Sequence, residues 1–246
     1  MCGHGIIAVA TIALERGLIL PRRGTDELFL DAPAGRIHAT AERDPRYASR
    51  VRSVSFRNVP SFVLHAAVPV KLGSRQLLAD VAFGGAFYAI VDSEAAGIPI
   101  VRERLDDLRR AGMEIKRAIE SALTIVHPTE PLLTGIYGTI FTGPASPGAD
   151  LRNVTIFADA EVDRSPCGTG TAAVMAVLND MGLLLDDVPF VHESIVGTTF
   201  KGRVVDRVQV GDQAAIVPEI EGSAWITGEH TFLIDGDDPL KAGFRL

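Results

Sequence analysis

Only two cysteines occur among the 246 residues, and that scarcity excludes a disulfide framework. A reducing compartment leaves both as free thiols. No uninterrupted apolar stretch reaches the roughly 20 residues a helix needs to cross a bilayer. The apolar run that begins at Ile6 has no basic region before it, so it does not read as a signal peptide. These absences make the cytoplasm the expected location, with no membrane partner. Low-complexity tracts and charge blocks are also missing, and the formal net charge of −7 argues against a nucleic-acid surface. A small anionic or zwitterionic ligand stays compatible with that charge, because a local site can be positive in an acidic protein. There is no Gly-Lys-Ser/Thr ending of a phosphate loop and no Cys-x₂-Cys zinc spacing.

What is present is a duplication. Residues 2–20 read CGHGIIAVATIALERGLIL and residues 167–185 read CGTGTAAVMAVLNDMGLLL, a gap-free match with 8 identities over 19 positions. The two cysteines, Cys2 and Cys167, open the two copies. Apolar content of 47% and charged content of 22% are those of a globular protein, and the length suits one large domain or two ordinary ones. The duplication favours two.

Each copy opens on glycines and is then apolar on nearly every face, the pattern of a buried helix. Gly17 and Gly182 stand where a helix-ending glycine belongs. The similarity continues more loosely: Ala34-Gly35-Arg36-Ile37 answers Lys201-Gly202-Arg203-Val204, each after a strand-like segment, DELFLDAP or HESIVGTTF. Strands are expected at SVSFRNVPSFVLHAAVPV, LLADVAFGGAFYAIVD, GIYGTIFTG and NVTIFAD, and after the second copy at RVQVGDQAAIVPEI and SAWITGEHTFLID. One amphipathic helix is expected from about Leu105 to Ile125, and a loop at GPASPGADLRN. Many strands with one buried helix per half make an α+β protein rather than a regular βαβ alternation. The first copy begins at residue 2, whereas about a hundred residues of strands precede the second. A first half lacking its opening strands is therefore expected.

A cysteine just before a glycine-rich helix start sits among free backbone N–H groups. These favour a thiolate and bind a carboxylate equally well. Two such sites across a cleft would clamp a carboxylate and set a thiol on each face of its α-carbon. One thiolate would remove the α-proton and the other thiol would return one, inverting the centre. Four other readings compete: two buried structural cysteines; a metal site of Cys2, His4 and Cys167; dinucleotide binding, since residues 168–173 fit G-x-G-x-x-A; and an inactive Cys2–Cys167 disulfide. The first copy fits the glycine pattern as well, and DAEVDRSPC separates the second from its preceding strand.

Met1-Cys2-Gly3-His4-Gly5 and Asp163-Arg164-Ser165-Pro166-Cys167-Gly168-Thr169-Gly170 resemble the two signature motifs of the proline racemase family. AFGGAFYAIVD, FVHES, GRVV, AWITGEH and DDPLKAGFRL extend the resemblance over essentially the whole chain. It implies a cofactor-independent enzyme with a diaminopimelate-epimerase-like fold, two pseudo-symmetric domains each wrapping strands around a central helix. Residues 1–65 with about 232–246 would form the first domain, N-terminally incomplete, and 66–231 the second, with the site in the cleft. By motif, Cys2 and Cys167 become the acid/base pair. Gly3, His4, Gly168 and Thr169 would surround the substrate carboxylate, and His4 and Asp163 the ring nitrogen. Asp163 as a plain loop cap is the alternative. The partner implied is a small imino acid, with no metal; a homodimer is a family-level expectation. The activity implied is inversion of proline or 4-hydroxyproline. The alternatives are dehydration of trans-3-hydroxy-L-proline and a truncated, inactive imino-acid-binding remnant. GIYGTIFTG reads like the dehydratase branch, but that branch usually has Thr where this chain has Cys167. Family members also carry a segment upstream of the first motif.

Overall fold

Each Cys-Gly-x-Gly segment starts a helix of 13 residues. In the computed structural model of the chain, residues 2–19, 25–32, 35–185 and 188–244 are described. Met1, Leu20, Pro33, Ala34, Arg245 and Leu246, which belong to stretches quoted above, lie outside them. Helix α1 (Gly3–Glu15) leads into a meander of β1 (Glu27–Ala32), β2 (Gly35–Asp44) and β3 (Tyr47–Arg57). Then come β4 (Phe62–Leu72), β5 (Arg75–Phe83), β6 (Phe87–Asp92), a one-turn α2 (Ser93–Ala96) and α3 (Leu105–Ala122). Strands β7 (Gly138–Gly143), β8 (Leu151–Phe157) and β9 (Glu161–Asp163) precede α4 (Gly168–Asp180). The second meander is β10 (Phe190–Ser194), β11 (Thr199–Val210) and β12 (Gln213–Gly222).

Both repeat helices end in the same way. Gly17 and Gly182 have φ of +63° and +69°, the left-handed turn that glycine adopts without a Cβ clash. The following residue then reaches back: Leu18 N–H donates to Ala13 O at 2.9 Å and Leu183 N–H to Leu178 O at 2.8 Å. With Gly17 N–H on Leu14 O and Gly182 N–H on Asn179 O, each end is a Schellman motif. The two helices differ in burial. Residues 168–177 of α4 are all buried, whereas Val9 and Ile12 of α1 are 54% and 42% exposed. Packing of α1 is mainly against β3 and β2, which leaves its far side uncovered.

Among the described residues the strands form one twelve-stranded sheet in the order β1-β2-β3-β12-β11-β10-β8-β7-β6-β5-β4, with β9 paired on β8. Its first six members are the two meanders, each following its own repeat helix and joined antiparallel at β3 and β12, where Phe56 faces Ile220. Two neighbouring pairs are parallel, β6 with β7 and β8 with β10. Each needs a crossover, and the connecting chain contains α3 in one case and α4 in the other. Strand β6 shows why the helices take opposite faces. Tyr88 and Ile90 join the core around α4, while Phe87, Ala89 and Val91 join the core around α3.

Besides the buried helix expected of the first copy, which in α1 is covered on one side only, three expectations need correction. SAWITGEHTFLID forms no strand: residues 223–235 are irregular, and Trp225, Phe232, Leu233 and Ile234 are exposed. Both edges of the preceding β12 are already taken by β3 and β11, so this segment finds no adjacent edge. HESIVGTTF is not one strand but a hairpin between β10 and β11 that turns at Gly197, φ +83°. The loop at GPASPGADLRN ends early, because β8 begins at Leu151.

Candidate active site

The first residues of α1 and α4 meet each other. A Cβ built on Gly3 would lie 2.6 Å from Gly168 Cα, and one built on Gly168 would lie 2.7 Å from Gly3 Cα. The Phe56 ring sits within 3.1 and 3.3 Å of the two positions. Only glycine permits this approach. It brings two positive helix ends to one place, with a thiol at the N-cap of each. Gly84 of AFGGAFY plays a similar part for α4: a Cβ there would overlap Thr169 O.

The sequence-derived residues fall into two connected groups. Around the first thiol, His4 Nδ1 lies 3.2 Å from Asp163 Oδ2 and 3.1 Å from Ser165 Oγ. Asp163 Oδ1 accepts the Ser165 N–H at 2.8 Å, and Ser165 Oγ accepts the Cys167 N–H at 3.1 Å. Residues 161 positions apart in the chain are thereby tied across the junction of the two helices. Around the second thiol, Gly170 N–H donates to Cys167 Sγ at 3.3 Å. The Tyr88 hydroxyl is 3.5 Å from that sulfur and 2.6 Å from Thr169 Oγ1. Cys167 has φ +61° and ψ 110°, a conformation that costs a non-glycine residue roughly 1–3 kcal/mol. Cys2, with φ −119°, is ordinary extended backbone.

The two thiols are electrostatic opposites. Cys2 is exposed, and its hydrogen bond with His4, aided by the Gly5 N–H, lowers its pKa despite partial burial. His4 is raised to about 10, first by its bond to Asp163 and then by Cys2, so it is an imidazolium at neutral pH. Burial works against the charge of Asp163, yet His4 and the Ser165 N–H hold its pKa down. Cys167 is buried, and burial, with the Asp163 charge, pushes it up to about 11. The expectation that both helix starts favour a thiolate is therefore corrected for Cys167, because desolvation outweighs the donors that face it.

Ser165, Tyr88 and Tyr137 were missed as site residues. All three lie in motifs already recognised, DRSPCG, AFGGAFYAIVD and GIYGTIFTG, but nothing in their spacing says which side chain turns inward. Tyr137 is half exposed, stacks on Phe157 at 5.5 Å and meets the Tyr88 ring edge-on at 5.8 Å. Its pKa is raised by partial burial and by the charges of Cys167, Cys2 and Asp163. Among the described residues no three His, Cys, Asp or Glu side chains gather as a cation site.

Comparison with known proteins gives the same direction. The family model described as proline racemase matches residues 1–245. A trans-3-hydroxy-L-proline dehydratase of Bacillus cereus is 46% identical over 247 residues, covering 100% of this chain and 73% of the relative. A proline racemase of Acetoanaerobium sticklandii is 41% identical over 249 residues, with the same coverage of 100% and 73%. The crystal structure of a probable proline racemase from Agrobacterium radiobacter K84, with bound carbonate, superposes with a TM-score of 0.92 at 31% identity, over 100% of this chain and 72% of that one. The fold is accordingly the diaminopimelate-epimerase-like α+β fold that the resemblance implied.

Proposed function

The chain belongs to the proline racemase family, and we propose that it is a cofactor-independent isomerase that inverts the α-carbon of proline or 4-hydroxyproline. One observation carries this reading: two abutting helix starts bear one thiol each, Cys2 with a lowered pKa and Cys167 held protonated. A base and an acid are thus present together at rest. The substrate carboxylate takes the N–H groups of Gly3, His4, Gly168 and Thr169 at the converging helix ends. Asp163, ionised and largely buried, suits the cationic ring nitrogen, while His4, as an imidazolium, shares that carboxylate and has no acceptor to offer the nitrogen itself.

Cys2 thiolate takes the α-proton, so that a C–H bond breaks and an S–H bond forms. The electron pair is held on the α-carbon and delocalised into the carboxylate. Cys167 then gives its proton to the opposite face, and the Tyr88 hydroxyl and Gly170 N–H face the thiolate that results. The product form carries a Cys2 thiol and a Cys167 thiolate, the arrangement needed for the reverse direction. Proton exchange with water restores the resting form.

A second reading has its own support. Relatives named trans-3-hydroxy-L-proline dehydratase are 46% identical to this chain. With the same base, Cys2, the 3-hydroxyl leaves from the face that loses the α-proton, because it is trans to the carboxylate, and the S–H that Cys2 has gained would pass its proton to that hydroxyl, so that water departs and the thiolate is restored. Incubation in D₂O with L-proline, trans-4-hydroxy-L-proline and trans-3-hydroxy-L-proline separates the two. Inversion with deuterium at the α-carbon supports the isomerase, and loss of water from the 3-hydroxy compound alone supports the lyase. Binding without turnover of any of the three overturns both. Cys167→Ser should abolish inversion, and full inversion in that variant rejects the two-thiol mechanism.

A further inference from the structure

We infer that His192 is a positioning residue for Cys167: it closes a hydrogen-bond chain that clamps the Pro166 carbonyl and so fixes the backbone carrying the second thiol. His192 stands on β10 and is fully buried. Its Nε2 is 2.9 Å from Asn153 Nδ2 on β8, and its Nδ1 is 2.9 Å from Thr171 Oγ1 in the first turn of α4. Asn153 Nδ2 also donates to Pro166 O at 3.1 Å and to Glu193 O at 3.3 Å, and the Thr171 hydroxyl donates to Pro166 O at 3.2 Å.

The Asn153 amide nitrogen carries two protons and faces three acceptors, Pro166 O, Glu193 O and His192 Nε2, so one proton is shared between two of them. Two backbone carbonyls face the Asn153 amide nitrogen, so the amide cannot be turned over without setting oxygen against oxygen. His192 Nε2 therefore accepts, and its proton is on Nδ1. That proton goes to Thr171 Oγ1, which frees the Thr171 hydroxyl to donate to Pro166 O. Asn153 Oδ1 is buried with no hydrogen-bond partner among the described residues. The Pro166 carbonyl ends with two donors, one from β8 and one from α4, and His192 holds both donors in place.

Comparison between the repeat copies points the same way. Position 171 corresponds to Ile6 in the first copy, which has no hydroxyl. There the cysteine has an unstrained φ of −119°. Only the copy whose cysteine sits at φ +61° has the strut. A conformation of that kind persists when its surroundings over-determine it.

The inference rests on the reading of Cys167 as a reacting group, so its test has an arm that does not need turnover. Thr171→Val removes the hydroxyl at nearly constant volume, Thr171→Ser restores it, and His192→Phe removes both ring nitrogens while keeping an aromatic ring. In Thr171→Val and His192→Phe, kcat should fall about tenfold or more with KM little changed, as expected for a misplaced reacting group. Thr171→Ser should stay near the parent. The double variant should be no worse than the more impaired single, because the two act through one chain. Independently, alkylation of Cys167 by iodoacetamide at high pH, mapped by mass spectrometry, should change severalfold in the same two variants while Cys2 labelling does not. If Thr171→Val fails to fold, Thr171→Ala is read in its place. Folded variants with parental kcat and parental Cys167 labelling overturn the inference. Changed Cys167 labelling in a protein that turns over no imino acid upholds the strut and rejects only the proposed function.

Discussion

Two thiols that each open a Cys-Gly-x-Gly helix start have opposite protonation, and the cause is what lies around each one. Cys2 is exposed and faces an imidazolium that Asp163 keeps charged. Cys167 is buried against Tyr88, whose own phenol burial keeps protonated. Iodoacetamide at pH 7 should therefore modify Cys2 at least about tenfold faster than Cys167, since only the thiolate reacts. The sign with pH follows. Cys2 labelling should level off once pH passes its lowered pKa, while Cys167 labelling should still be climbing near pH 11. Peptide mapping after timed exposure checks this, and equal labelling of both at neutral pH contradicts the assignment of base and acid. That a cysteine opens each of two matching helices was legible in the repeat, whereas the bond between His4 and Asp163 was not, since the resemblance assigned both to a ligand atom and not to each other. The difference between the thiols was not legible either, because the residues that cover Cys167, Tyr88 foremost, come from a strand 79 positions away.

At the scale of elements, the junction of α1 and α4 is set by two glycines back to back. Gly3→Ala would put a methyl group 2.6 Å from the Gly168 backbone, and neither backbone can turn aside as a flexible side chain would. The helix starts must then separate, which should cost about 1–3 kcal/mol of stability as an overpacked contact does. A shift of about 1 Å between the thiols should lower turnover roughly a hundredfold. A thermal melt and a racemisation assay on the variant read the two effects; parental activity would show that the junction does not set the site. Both repeat helices were legible from their glycine starts, apolar bodies and C-terminal glycines, and α3 from its alternation of charged and apolar faces. The segment 223–235 was misread because strand-like composition speaks only to a strand's own preference, and a strand also needs a free edge. Val9 and Ile12 of α1 show the converse limit, since an apolar surface in sequence does not say which neighbour covers it.

For the molecule as a whole, one buried neutral histidine ties the site to the pH range in which the fold holds. Burial lowers His192 to about 3 in the folded chain, against an ordinary value of 6.5. The unfolded chain binds a proton at this residue from about pH 6.5 downward, and the folded chain does not until about pH 3. Stability attributable to His192 is thus fully present above pH 6.5 and is lost progressively between 6.5 and 3. The loss reaches up to about 1.4 kcal/mol per pH unit. Glu193, next in sequence, adds a loss of the same sign at lower pH. Its bidentate bond to Arg152 holds it to about 2, against 4.5, so its contribution fades only below about pH 4.5. Between pH 6.5 and 5 His127, also lowered by burial, adds a loss of the same sign, so His192 is followed by comparing the parent with a variant that lacks it. Urea unfolding at half-unit steps across that window should show a falling midpoint in the parent and a flatter dependence in His192→Phe. Equal slopes in the two proteins would mean that His192 does not stay neutral in the fold. Its proton on Nδ1 would then have no special standing, and the clamp on Pro166 would have to be held by Asn153 and Thr171 without it.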